Sequence, residues 1–209
     1  MIFINKSELI GFWKNSNLIK NQKLIKAFQE IPRENFVLEE YKSEAYYDIP
    51  LPIFEEQTIS QPTTVIMMLD FLDIKENSKV LEIGAGSGYN AALLSKLTKN
   101  KIISVERVKG LVDFAEENIK KSEIKNVKII HADGVLGYKK EAPYDRIIAT
   151  CSSPYIPKAW KEQLKENGIL VAPIGYLEHE MVVAKKLKGE LVIEKKGFFR
   201  FVPLLKGKK

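Results

Sequence analysis

The sequence predicts an α/β fold: a mostly parallel, doubly wound sheet with antiparallel C-terminal edge strands and an N-terminal helical extension. Three observations predict it. From residue 79 onward, short apolar runs alternate with stretches of helical spacing, the pattern of a parallel sheet buried on both faces. A glycine-rich turn, with Gly84, Gly86 and Gly88, follows the first of these runs. Near the C-terminus two strand-like runs meet at Lys188-Gly189, which reads as an antiparallel hairpin.

Each element can be justified in order. Residues 7–13 and 21–31 space apolar side chains helically (Leu24, Ile25, Phe28, Ile31), and Pro32 closes the second helix. Residues 33–57 are irregular and rich in Tyr and Pro, and Pro50 and Pro52 favour extended, loop-like chain. Pro62 stands where a helix N-terminus accepts proline, ahead of Val65-Ile66-Met67-Met68-Leu69. The expected strands are residues 80–83, 102–106, 127–130, 145–149 and 169–172, with helices at 89–97, 111–121 and 158–165. Residues 180–186 and 191–195 form the hairpin, and 198–204 a last strand or an extended arm. One domain is expected over 1–209: a helical cap and active-site loop (1–78), then the α/β core with hairpin and arm (79–209).

Composition narrows the class. At 209 residues, 45% hydrophobic and 29% charged, the chain has the make-up of a globular domain able to bury a proper core. No apolar run is long enough to cross a bilayer, so no membrane partner is expected. The start, Met1-Ile2-Phe3-Ile4-Asn5-Lys6, lacks the layout of a secretory signal. Cys151 is the single cysteine, which excludes an internal disulfide and fits a reducing cytoplasm. The net charge of +6 is nearly all lysine, spread along the chain without basic–aromatic runs, and reads as a solvated surface rather than a nucleic-acid footprint.

The chemistry begins at Val80-Leu81-Glu82-Ile83-Gly84-Ala85-Gly86-Ser87-Gly88-Tyr89-Asn90, which runs strand, turn, helix. Glycines permit a sharp turn and close approach of a ligand, and the helix N-terminus presents free N–H groups. The spacing Gly-x-Gly-x-Gly differs from the dinucleotide fingerprint, which needs glycine at Tyr89. Glu106 ends the next strand, 18 residues after Gly88, where an acid can accept both hydroxyls of a ribose without a 2′-phosphate. Asp133-Gly134 follows the third strand; its carboxylate can accept from an adenine amino group and a backbone N–H can meet a ring nitrogen. Glu82 can hold the cationic amino group of a methionine half. Together these residues indicate S-adenosylmethionine on a Rossmann-like class I methyltransferase core, with no metal.

The acceptor is a separate question. Candidate bases are scarce: His131 and His179 read as surface or structural residues, and the Asn/Asp-Pro-Pro-aromatic tetrapeptide of base-amine methylation is absent. A carboxylate acceptor needs no base, being ionised at neutral pH, and needs only to be oriented in line with the methyl group. Ser60 could orient it, although from spacing alone its position before Pro62 favours a helix-start serine.

The block Thr58-Ile59-Ser60-Gln61-Pro62 joins a longer series: Ile31-Pro32-Arg33-Glu34-Asn35-Phe36-Val37, Ala45-Tyr46-Tyr47-Asp48, Leu51-Pro52-Ile53 and Ser104-Val105-Glu106-Arg107. Asp133-Gly134 with Leu136-Gly137, Ala142-Pro143-Tyr144-Asp145, Gln163-Leu164-Lys165 and Phe201-Val202-Pro203-Leu204 complete it. In these motifs the chain resembles the protein-L-isoaspartate O-methyltransferase family over residues 25–204. The resemblance implies methyl transfer to the α-carboxylate of L-isoaspartyl residues in damaged proteins, whose ester then collapses to a succinimide. It implies that Ser60 is the active-site serine, orienting the carboxylate rather than attacking it. It also implies that Thr58 and Ile59 cover the cofactor, Gln61 the substrate, and that Val202 and Leu204 border a peptide groove. Glu56 stands where the family usually has glycine, His179 near a usual glutamine, and Cys151, expected to be inert, at a position usually held by a small residue. Two other readings stay in play: a nucleic-acid methyltransferase of the same fold, which would bind with steep salt dependence, and a non-catalytic cofactor-binding module.

Overall fold

The computed structural model describes residues 5–209. The absence of a signal was expected from Met1 to Lys6, and the first four of these residues lie outside the described part.

Two helices open the chain, α1 (Lys6–Asn15) and α2 (Gln22–Glu30), each started by an asparagine whose side chain accepts a first-turn N–H. The buried face of α2 carries Leu24, Ile25, Ala27 and Phe28, and Phe28 meets Trp13 of α1 edge-on at 4.7 Å. Full burial of each large side chain stabilises the fold by roughly 1.5–3 kcal/mol. The chain then passes through two 3₁₀ turns, at Arg33–Phe36 and Glu39–Glu44, to a two-residue ladder of β1 (Leu51–Pro52) with β2 (Thr58–Ile59). Helix α3 (Pro62–Phe71) follows, with Pro62 in its first turn as expected.

The core alternates β3 (Val80–Ile83), α4 (Tyr89–Leu97), β4 (Ile102–Glu106), α5 (Lys109–Lys121), β5 (Val127–His131), β6 (Tyr144–Ala149), α6 (Lys158–Gln163) and β7 (Leu164–Ile174). The hairpin of β8 (His179–Leu187) and β9 (Glu190–Phe199) completes a seven-stranded sheet in the order β5-β4-β3-β6-β7-β8-β9. Pairings from β5 through β7 are parallel; β8 and β9 are antiparallel. The order reverses beside β3, whose neighbours are β4 and β6, so the crevice for a ligand lies at the C-terminal ends of these strands. One buried cluster runs from Leu9 and Trp13 of α1 to Met181 of β8, joining the helical extension to the sheet.

One boundary differs from the expected pattern. The helix expected over 158–165 ends at Gln163, and the strand expected from residue 169 begins at Leu164. Leu164 is buried opposite Tyr144, and a register shift separates that pair from Arg146–Ile169. Lys186 Nζ donates to the carbonyls of Lys161 and Leu164, both at 2.8 Å, and so satisfies the end of α6 from a distant strand. Residues 198–204 divide: Phe198 and Phe199 end β9, and the rest is an arm whose Pro203 bridges to Ser152.

The turn between β1 and β2 places Glu55 and Glu56 at φ 59° and 57°, left-handed at both positions. Such turns favour Asn-Gly because a Cβ there costs roughly 1–2 kcal/mol. This accounts for the glycine that the resemblance implies at the position of Glu56. Glu56→Gly is expected to raise Tm by about 2–4 °C; a lower Tm in differential scanning calorimetry would contradict the strain.

Candidate active site

The glycine turn leaves β3 at Gly84, at φ 91°, in a space with no room for a side chain: a Cβ there would lie 2.5 Å from Thr150 Oγ1. Thr150, at the end of the adjacent β6, donates from Oγ1 to Gly84 O at 2.6 Å. Gly88 starts α4 at φ 85°, and a Cβ there would press on the backbone of Ala115 in α5 at 3.3 Å. The turn is thus fixed from both sides and left open on its ligand face.

A largely apolar cavity lies over this turn. Thr58, Ile59 and Ser60 form one wall, residues 83–87 the floor, Val105 to Val108 and Gly134 one end, and residues 202–205 the roof. A second cavity, lined by Pro50, Gln61, Met67, Leu177, Phe198 and Arg200 among others, adjoins it. The two share Thr58, Ser60, Thr150 and Val202. Ser60 therefore stands between a pocket and a groove. It is half-buried, and its hydroxyl makes no hydrogen bond to any other described residue.

The helix-start alternative for Ser60 is excluded. Gln61 holds the cap position of α3 and uses no side-chain cap of its own. Asp48 serves instead: Oδ1 accepts from Thr63 N at 2.9 Å, and Oδ2 from Thr63 Oγ1 at 2.7 Å and Gln61 Nε2 at 3.0 Å. Trp13 Nε1 donates to the same threonine hydroxyl at 2.7 Å, so α1 helps hold the loop. A carboxylate at a helix N-terminus is stabilised by the dipole, and this borrowed cap leaves the serine uncommitted.

Glu106 lies where expected, buried at the cavity wall, and is already well supplied with donors. Oε1 accepts from Arg107 N at 2.8 Å and Val108 N at 3.0 Å, and Oε2 from Gly86 N at 3.1 Å. A carboxylate has about four lone-pair sites, which leaves capacity for one ribose hydroxyl while all three bonds persist. Gly134 lines the cavity, with its carbonyl fixed by Trp160 Nε1 at 2.8 Å. Asp133 stands just behind, accepting from Val135 N and Gly207 N.

Four expected residues sit elsewhere: Gly88 and Asp133 adjoin the cavity without lining it, and Glu82 and Leu204 take other positions. Glu82 does not line the cavity; it is fully buried beneath the glycine turn, where Asn90 Nδ2 donates to Oε1 at 2.7 Å and Ser104 Oγ to Oε2. The reason is its place in a central strand covered on both faces. Leu204, expected on the peptide groove, lines the first cavity only, because Leu204 N bonds Ser152 O at 2.7 Å and the side chain turns toward Gly134. Gln61 and Val202 do border the groove. His179 Nδ1 accepts from Phe201 N at 3.2 Å and so anchors the arm, and His131 meets Arg107 O at 3.0 Å. Burial pushes the Cys151 thiol up to about 12, which keeps it unreactive. Thr150, Tyr89 and Leu205 also line the pocket without having been singled out in the sequence.

Burial raises the Glu82 carboxyl to about 7, against bonds from Ser104 and Asn90 that favour the anion. A carboxyl raised on folding adds stability that is fully present below its unfolded value near 4.5 and lost as pH rises through about 7. Glu82→Gln, which can keep both contacts, is expected to raise Tm by a few degrees at pH 8 and less at pH 5. Equal changes at both pH values would contradict this.

Residues 4–209 match the family model described as protein-L-isoaspartate(D-aspartate) O-methyltransferase. A protein-L-isoaspartate O-methyltransferase of Pyrococcus horikoshii is 41% identical, over 97% of this chain and 96% of its own length. A solved protein-L-isoaspartate O-methyltransferase superposes with TM-score 0.84 at 31% identity, over 95% of this chain and 65% of that one. A putative protein-L-isoaspartate O-methyltransferase from Plasmodium falciparum, solved with S-adenosyl-L-homocysteine, also gives TM-score 0.84, at 27% identity over 97% of this chain and 99% of that one.

Proposed function

We infer the work of each site residue from one premise: this chain belongs to the protein-L-isoaspartate(D-aspartate) O-methyltransferase family. It is an S-adenosylmethionine-dependent enzyme that methylates L-isoaspartyl residues in protein repair.

The cavity over the glycine turn fits this cofactor: Gly84 and Gly86 lie on its floor without side chains, Glu106 faces the ribose, and apolar walls suit purine and thioether. Bound there, S-adenosylmethionine supplies a methyl group on a sulfonium. Thr58 and Ile59 cover it, Gly84, Gly86 and Gly88 cradle it, and Asp133 with Gly134 borders the adenine. Glu82 acts at one remove, bracing Asn90 at the start of α4.

The observation that carries the catalytic reading is the uncommitted Ser60 hydroxyl on the wall shared by pocket and groove. It donates to one oxygen of the isoaspartyl carboxylate and leaves the other for the methyl group. No general base is required, since the acceptor is already an anion. Gln61 and Val202 hold the flanking peptide, and Leu204 helps close the cofactor side.

We read residues 1–209 as one domain, supported by the buried cluster common to extension and sheet. We place the protein in the cytoplasm, without nucleic-acid or membrane partners; many of its surface lysines are engaged in exposed ion pairs such as Lys121–Glu117 and Lys101–Glu141. No helix among the described residues is long and apolar enough to cross a membrane.

The binding assignment is tested by titration with S-adenosylhomocysteine. Glu106→Gln is expected to raise Kd about 10–100-fold, as one charge-assisted bond is worth roughly 1.5–3 kcal/mol. An unchanged Kd would remove Glu106 from the ribose.

A further inference from the structure

Beyond Leu204 the chain turns back across the end of the cofactor cavity formed by β4 and β5. Leu205 lines that cavity while 49% exposed. Gly207 N donates at 2.8 Å to Asp133 Oδ2, just behind the Gly134 end of the cavity. Arg107 Nε donates to Gly207 O at 2.9 Å. Lys209 is held by main chain on both sides: its N–H meets Arg107 O at 2.7 Å, and its main-chain oxygen accepts from Lys109 N at 2.9 Å. Its ammonium lies 2.7 Å from Glu55 Oε2, on the left-handed turn between β1 and β2.

We infer that residues 205–209 are a strap that forms part of the cofactor site, closing its purine end and setting the rate at which nucleoside enters and leaves. The inference rests on the reading of this cavity as the cofactor site. The strap ties together the end of β5, the loop entering α5 and the turn before the Ser60 loop. Adenosine held between Glu106 and Gly134 would lie beneath Leu205, which Gly207 and Lys209 anchor in place. Asp133, next to the cavity-lining Gly134, has its carboxylate held partly by the strap, so release of Gly207 loosens that end of the cavity. The four hydrogen bonds of Gly207 and Lys209 to Asp133, Arg107 and Lys109 dominate the closure. The Lys209–Glu55 pair is exposed, with side chains 62% and 38% accessible, and contributes about fivefold at most.

The test is the exchange of S-adenosylhomocysteine by stopped-flow tryptophan fluorescence, with Trp160 as reporter through its bond to Gly134. A chain lacking residues 206–209 is expected to bind and release the nucleoside at least about tenfold faster. Gly207→Pro, which removes the donor to Asp133 and cannot adopt φ 82°, is expected to do the same. Glu55→Gln is expected to speed release two- to fivefold, an effect that vanishes at high salt. Unchanged association and dissociation rates in the truncated chain and in Gly207→Pro would overturn the strap. Methylation of an isoaspartyl peptide by the intact chain at saturating cofactor tests the function independently, since it does not depend on exchange rates.

Discussion

Alanine at Ser60 is expected to lower kcat about 100-fold or more while Kd for S-adenosylhomocysteine stays within about twofold. Removing one preorganised donor at a reacting oxyanion typically costs 10²–10³ in rate, roughly 2.7–4 kcal/mol. In the proposed role the donor holds a carboxylate whose second oxygen must meet the methyl group, and positioning alone supplies a large part of such a barrier. The change should leave stability intact, because Ser60 caps no helix and satisfies no buried partner; Asp48 already caps α3. Quenched-flow transfer to an isoaspartyl peptide, with calorimetric titration of the nucleoside, separates the two effects. A parent-like kcat would sink the role of Ser60, and a lost nucleoside affinity would mean that it shapes the cofactor wall instead.

Gly84→Ala is expected to weaken cofactor binding by more than about 30-fold and to lower Tm by several degrees. Two costs combine. The backbone sits at φ 91°, and the added Cβ would lie 2.5 Å from Thr150 Oγ1. Left-handed backbone costs a non-glycine residue roughly 1–2 kcal/mol, and the threonine cannot withdraw without releasing its bond to Gly84 O. The turn must therefore shift, and with it Gly86 N, a donor to Glu106. Thr150→Ala in the same chain removes the clash but not the backbone strain, so part of both losses should return. The coupling is measured by a double-mutant cycle on Tm and Kd. Strict additivity would show that the two residues do not press on each other.

The sheet was legible because its strands are short apolar runs, and the match at Val80–Ile83 and Ile102–Glu106 extends to the terminal residue. The start of β7 was not, because Leu164 and Lys165 continue a helical pattern and only the pairing of Leu164 with Tyr144, before a register shift, ends it. In the site, Glu106 and Gly134 could be placed from strand ends. Glu82 shows the limit of that rule: it belongs to a strand end in sequence, yet it lies one residue too deep, in a strand buried on both faces. Thr150 was findable, since it follows the strand beside β3 where open α/β sheets bind ligands. Asp48 and Gly207 were not. Their partners Thr63 and Asp133 are 15 and 74 residues away, and no local spacing reports such contacts.

Methylation of L-isoaspartyl residues requires the enzyme to choose their carboxylate over that of ordinary L-aspartyl residues. The direct measurement is transfer of a labelled methyl group to a peptide with one L-isoaspartyl residue and to its L-aspartyl twin, followed by mass spectrometry. The expected result is a methyl ester, or its succinimide product, on the isoaspartyl peptide alone. Equal methylation of the twins, or methylation of neither while S-adenosylmethionine binds, would contradict it.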